Sequence, residues 1–238
     1  MTLDRRFVIL RSHTEIKLSH MRTKTLLLTA ALCAAGAATS MAQVYSVNMV
    51  GYINHTVPSG FSLIANQLNA SPDNRVTTLF AAPPDGTQVS KFIPATSTFE
   101  GITFVDGAWE GDNVNMTLNP GEGVFINPPS SFQVTFVGEV ALSSSVPLVP
   151  GFQIISSALP QSLPLTGTPP AGLGFPVAEG DQTFLFDPAS DTYKIDSFID
   201  GAWEGDSLGV PTPAIGQAFY YKRASGTANW TRTFTVGP

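Results

Sequence analysis

Cysteine, histidine and charge are all scarce in this chain, and each shortage removes a class of chemistry. The 238 residues hold one Cys and three His, and only 13% are charged. The lone Cys33 falls in an apolar run near the N-terminus, so the chain beyond it has no disulfide, thiolate metal site or Cys nucleophile. His13 and His20 precede that run, which leaves His55 as the only imidazole after it. Zinc lacks ligands. A Ser-His-Asp triad would have to use His55, here read as a solvent-facing strand residue, and no G-x-S-x-G elbow accompanies it. Lys and Arg number 12 against 18 Asp and Glu, the wrong balance for binding nucleic acid or an anionic membrane surface. No apolar stretch approaches the roughly 20 residues of a membrane-spanning helix.

Residues 21–42 read as a signal peptide. Arg22 and Lys24 form a positive start, Leu26 to Ala38 an apolar centre, and Ser40-Met41-Ala42 a small-residue site for cleavage before Gln43. An acylated Cys33 is the second choice of processing, disfavoured by Leu32 beside it. Residues 1–20 carry mixed charge and read as a spurious extension, with Met21 as the true start. The expected product is secreted or periplasmic. Six of the 12 basic and two of the 18 acidic residues lie in 1–42, so six basic and 16 acidic groups remain, a net charge of −10.

What the chain does have is repetition. "DGAWEGD" occupies 106–112 and recurs letter for letter at 200–206. Upstream, "GTQVSKFIPATSTF" (86–99) aligns with "GDQTFLFDPASDTY" (180–193), and "PSGFSLIANQL" (58–68) with "VPGFQIISSAL" (149–159). Phe125 of "GEGVFINPP" is matched with Phe219 of "GQAFYYKRA", and Val-Gly pairs recur at 50–51, 137–138 and 236–237. Two units follow, 43–138 and 139–238, joined by "EVALSSSVPLVPG" as a short linker.

The expected fold class is all-β: two tandem sandwich-like repeats of about 90–100 residues with at most one short helix. They form either two domains or one pseudo-symmetric body. Asp-Gly at 106–107 and 200–201 supplies the two positive-φ positions of a type I′ hairpin turn. The helix is expected in "DNRVTTLF", with Asn74 as its cap. The matching stretch, "PQSLPLTGTPPAGLGFP", holds too much proline to repeat it.

No catalytic residues are assigned, and the chain is read as non-enzymatic: two carboxylates on one turn are not the opposed pair that glycoside hydrolysis requires. Asp106, Glu110 and Asp112, with Asp200, Glu204 and Asp206, are turn formers first and weak Ca²⁺ ligands second. Trp109, Trp203 and Tyr221, together with Trp230 and Tyr220, are candidate stacking platforms for sugar rings, against packing as their simpler role. Glu110, Asp112, Glu204 and Asp206 are the least explained, because no turn demands both carboxylates.

The blocks "GFSLIANQL", "LNPGEGVFINPP" and "VTFVGEV" resemble a group of secreted, functionally uncharacterised all-β proteins of environmental bacteria. The resemblance covers most of the chain beyond residue 42 and is stronger in unit one. It implies an exported β-rich protein and brings no catalytic residues. The leading expectation is a structural or interaction protein of the cell envelope or extracellular space, with carbohydrate binding as the alternative. Partners are then an envelope protein or polysaccharide, and free strand edges at Val44–Val50 or the C-terminal strand allow self-association.

Overall fold

The computed structural model describes residues 49–234; the signal peptide, residues 1–20 and the third Val-Gly pair lie outside them. Among the described residues the fold is all-β, with fourteen strands in four antiparallel sheets and one short helix. The first half contains β1 (Val50–Val57), β2 (Ser62–Ile64), α1 (Val76–Leu79), β3 (Gln88–Ile93), β4 (Thr98–Val105), β5 (Ala108–Gly111), β6 (Val124–Asn127) and β7 (Phe132–Glu139). The second contains β8 (Ser143–Leu148), β9 (Gly151–Ile155), β10 (Gln182–Asp187), β11 (Thr192–Ile199), β12 (Ala202–Gly205), β13 (Phe219–Arg223) and β14 (Ala228–Thr233).

Each half pairs a five-stranded sheet with a two-stranded ribbon. The sheet orders are β2-β6-β3-β4-β5 and β9-β13-β10-β11-β12, and the ribbons are β1-β7 and β8-β14. Position for position, the two orders are the same. The segment expected to be a linker is instead largely β8, which pairs with β14 and closes the second half. In both halves the core lies between ribbon and sheet. Ile53, Val57, Val89, Ile102, Ile126 and Phe136 fill the first, and Leu148, Ile155, Leu185, Phe219 and Trp230 the second.

Strand alternation sorts the side chains between faces. In β6, Val124 and Ile126 face the core while Phe125 faces away; in β13, Phe219 and Tyr221 face the core and Tyr220 faces away. Ile64 lies opposite Val124, and Ile155 opposite Phe219. Phe219 is therefore the counterpart of Val124, and Tyr220 that of Phe125. This register corrects the sequence match of Phe125 to Phe219 by one residue, enough to exchange the two faces of a strand. By the same reading Thr233, opposite Ser143, takes the place of Val137 opposite Tyr52.

The helix is one turn, Val76–Leu79, and Asn74 does not cap it. Buried Asn74 instead bridges the loops. Its Oδ1 accepts from Asn66 Nδ2 (3.1 Å) and the Ala70 amide (2.8 Å), while its Nδ2 donates to Asn69 Oδ1 (2.9 Å).

The halves are stitched together at their edge strands. Isolated bridges join Ile64 to Gln217 and Ile155 to Glu122. The Ala65 amide donates to Gly216 O (2.9 Å), and the Ser156 amide donates to Gly121 O (3.0 Å). His55 belongs to this seam rather than to the solvent: a Cβ on Gly216 would come within 3.0 Å of its Nδ1. Burial lowers its pKa below the ordinary histidine value.

Candidate functional site: an aromatic groove between the halves

The hairpins behave as their sequence demands. Asp106 and Gly107 have φ of 50° and 84°, and Asp200 and Gly201 have φ of 52° and 79°, as a type I′ turn requires. The "EGD" half of each motif also has a structural explanation. A Cβ at Gly111 would lie 2.4 Å from Gly101 O, and one at Gly205 would lie 2.2 Å from Ile195 O, so only glycine fits. The next carboxylate then caps the neighbouring strand: Asp112 Oδ2 accepts from the Gly101 amide (3.0 Å) and Asp206 Oδ2 from the Ile195 amide (2.9 Å).

Within each hairpin the three acidic residues are spread along the strand. Asp106 and Asp200 sit at the turn, whereas Asp112 and Asp206 lie at the far end of the hairpin, about 13 Å away along the strand. Glu110 and Glu204 are exposed between them. Among the described residues, no three His, Cys, Asp or Glu side chains gather closely enough to hold a metal.

The proposed sugar platforms need correction. Tyr221 is fully buried, its ring against Phe175 at 4.9 Å and its hydroxyl on Asp181. Trp203 is 9% exposed and packs on Phe198 at 5.4 Å. Trp109 is half-buried, packs on Phe104 at 5.4 Å, and its Nε1 donates to Phe80 O (3.1 Å). Cross-strand packing covers these rings because each lies on the core-facing side of its hairpin.

The open aromatic surface lies elsewhere, on the faces of the two sheets turned away from their cores. Two hollows adjoin there. One, of about 400 Å³, is lined by Phe92, Phe152, Phe184, Tyr193 and Tyr220, with Ser97 at its edge. The other, of about 480 Å³, is lined by Phe61, Phe99, Phe125, Phe186, Tyr193 and Tyr220, with Ser90 and Asp191 beside them. Both volumes fall in the range of small-molecule sites.

The hollows are related by the same correspondence that relates the halves. Phe61 and Phe152, Phe92 and Phe186, Phe99 and Tyr193, and Phe125 and Tyr220 are equivalent pairs. Ring geometry follows suit. Phe61–Phe125 centroids are 6.0 Å apart at 85°, and Phe152–Tyr220 are 6.3 Å apart at 85°. Phe92–Phe99 (5.2 Å, 62°) matches Phe186–Tyr193 (5.1 Å, 61°). At the centre, Phe125 and Tyr220 meet each other at 5.7 Å.

Three of these rings are unusually open: Phe61 is 51%, Phe99 46% and Phe152 43% exposed. Burial, and secondarily Tyr193, pushes the Tyr220 hydroxyl up to about 12. Burial and then the Asp191 charge raise Tyr193. Both phenols stay neutral at ordinary pH, able to donate a hydrogen bond into the groove.

Of these groove residues only Tyr220 was singled out from the sequence as a stacking surface. The available signal was parity: "VFIN", "QTFLF" and "AFYYK" place aromatic rings on the face opposite the aliphatic core positions. No family model matches the chain, nor does any curated protein or solved structure.

Proposed function

We propose that this chain is an exported, non-enzymatic interaction protein of the envelope or extracellular space, and that it binds through the aromatic groove. The observation that carries this reading is the paired, open hollow lined almost wholly by Phe and Tyr at the junction of the halves. Leaving rings of this size half-exposed forgoes about half of the roughly 1.5–3 kcal/mol that full burial of such a side chain contributes, a cost that a binding role offsets. Exposed aromatic clusters mark interaction sites. The single histidine among the described residues lies in the seam and does not line either hollow.

Carbohydrate recognition is the second reading, favoured by one observation: Tyr193 and Tyr220 belong to both hollows and bring hydroxyls among the rings. It moves the stacking surface from Trp109 and Trp203 to the groove.

The test is retention of the full chain on envelope protein fractions and on insoluble polysaccharides. A Phe61→Ser/Phe152→Ser double variant should lose retention while Trp109→Phe keeps it. Because the two substituted rings are the exposed ones, the double variant should still unfold cooperatively. Equal retention of wild type and double variant on every fraction would remove the groove as the binding surface. Retention on polysaccharide alone favours the second reading.

A further inference from the structure

We propose that the hollow lined by Phe61, Phe99, Phe125 and Tyr193 receives an alkylammonium group, with Asp191 as its counter-charge. The proposal rests on the groove being the binding surface and names the chemistry that one half of it takes.

The two hollows share most of their rings, with Ser90 of the second in the place of Phe184 of the first, and they differ in charge. Where the first has Ser97, the second has Asp191. Where the second half carries Lys222 on β13, the first carries Asn127, because each lies opposite the corresponding residue of β10 or β3. Lys222 places its Nζ 5.5 Å from the centroid of Phe152, a ring of the first hollow. An ammonium group of the chain itself therefore already lies over a ring that lines the first hollow. In the second, Phe61 stands in place of Phe152, the lysine is replaced by Asn127, and a carboxylate is present instead. Among the described residues Asp191 forms no ion pair and is exposed beside the rings.

Ring orientation points to the same chemistry. Around the second hollow, Phe99–Phe125 meet at 49°, Phe186–Tyr193 at 61°, Phe125–Phe186 at 81° and Phe61–Phe125 at 85°. Rings at these angles make walls, not a flat floor. A compact cation is attracted to several ring faces at once through their quadrupoles, whereas a sugar ring stacks on one flat face. The chain's net charge of −6 draws cations toward it.

Choline and its uncharged carbon analogue, 3,3-dimethylbutan-1-ol, separate charge from shape. Each is titrated into the full chain while aromatic ¹H–¹³C NMR resonances are followed. Choline should shift Phe61, Phe99 and Tyr193 saturably, and the alcohol should bind more weakly. Asp191→Asn should weaken choline by roughly threefold to fivefold, the scale of an exposed ion pair, and leave the alcohol unchanged. Phe61→Leu keeps the apolar contact and removes the ring, so it should weaken choline more than the alcohol. Nα-acetyl-lysine N-methylamide, run in parallel, tells a protein side chain from a quaternary headgroup as the source by which of the two cations binds tighter.

Equal affinity for choline and the alcohol overturns the proposal while leaving the groove a binding surface. So does indifference of choline to Asp191→Asn. If no probe shifts these rings, the ammonium site falls, and the retention experiment on Phe61 and Phe152 decides separately whether the groove falls with it.

Discussion

Where the first half places Thr87, Ile102, Ile126 and Phe136, the second places Asp181, Asp196, Tyr221 and Arg232, all but completely buried. The strand order and an apolar core are shared, yet the second half also buries the charged side chains of Asp181, Asp196, Arg223 and Arg232. The connection that follows the second strand of each half, β2 or β9, explains the difference. In the first half it contains α1, which makes its own backbone hydrogen bonds and sends Val76 and Phe80 into the core. In the second it is the Pro-rich segment 160–180, which cannot form that helix.

Backbone bonds meet part of its polar groups, as where the Leu173 amide donates to Pro164 O (2.8 Å) and the Phe175 amide to Leu165 O (2.9 Å), and buried side chains meet others. Arg232 Nη1 and Trp230 Nε1 donate to Leu173 O (2.9 and 2.8 Å), and Arg223 Nη1 donates to Pro176 O (3.2 Å). The Ala178 amide donates to Asp181 Oδ2 (2.7 Å). Asp181 also accepts from the Ala224 amide (2.8 Å), and pairs with Arg223 at 3.4 Å. Buried polar groups are tolerable in this number only because they find partners. Trp203 shows the remainder of the exchange: its Nε1 is buried without a partner, whereas Trp109 Nε1 reaches Phe80 O at the end of α1.

The sharpest way to break the comparison is at its most polar position. Asp181→Ala strands Arg223, Tyr221 and two amides, and should cost about 3–5 kcal/mol in chemical denaturation. Thr87→Ala, its counterpart, loses one hydroxyl bond to Pro84 O (2.6 Å) and should cost about 1 kcal/mol. Equal losses would show that the buried network is not what distinguishes the halves.

Next in size is the seam. A Cβ at Gly123 would lie 2.3 Å from Ala218 Cβ and 2.7 Å from Ile154 Cγ2 of the other half. Gly123→Ala should therefore cost about 1–3 kcal/mol. It should also split a single thermal transition into two if each half can hold its own core.

The repeated motif should respond alike in both copies. Asp112→Ala and Asp206→Ala each lose a strand-capping acceptor and should cost about 0.5–1.5 kcal/mol. Glu110→Gln and Glu204→Gln should stay within about 0.5 kcal/mol of wild type. A larger loss at either Glu would expose a role that the hairpin geometry does not contain.

The smallest effect is alkaline. Tyr220 titrates near 12 in the folded chain and near 10 when unfolded, so the folded state holds its proton more tightly. Its contribution to stability is complete below about pH 10 and is lost as pH rises through 12. Tyr220→Phe should flatten that part of the stability profile, and Phe125, its counterpart, has nothing to titrate. An unchanged alkaline limb in Tyr220→Phe would assign the loss to Tyr193 or Tyr221, whose pKa values burial raises as well.

Local chemistry was legible in the residues themselves. Asp-Gly fixed the hairpins because only certain residues accept two positive φ angles in succession, and alternation with abundant Gly and Pro announced strands. Proline excluded a second helix. Packing was less legible. Asn74 looked like a cap and became a loop bridge, "SSSVPL" looked like a linker and became β8, and the match of Phe125 to Phe219 was off by one. Each of these depends on a partner far along the chain.

For the functional surface the division is the same. The sequence determined that aromatic side chains would be plentiful and that they would recur between the halves. Only the tertiary structure decided which of them face water, because burial depends on which strand face is covered. Trp203 and Tyr221 were covered by ribbon and loop, while Phe61, Phe99 and Phe152 were left open where the outward faces of the two sheets meet.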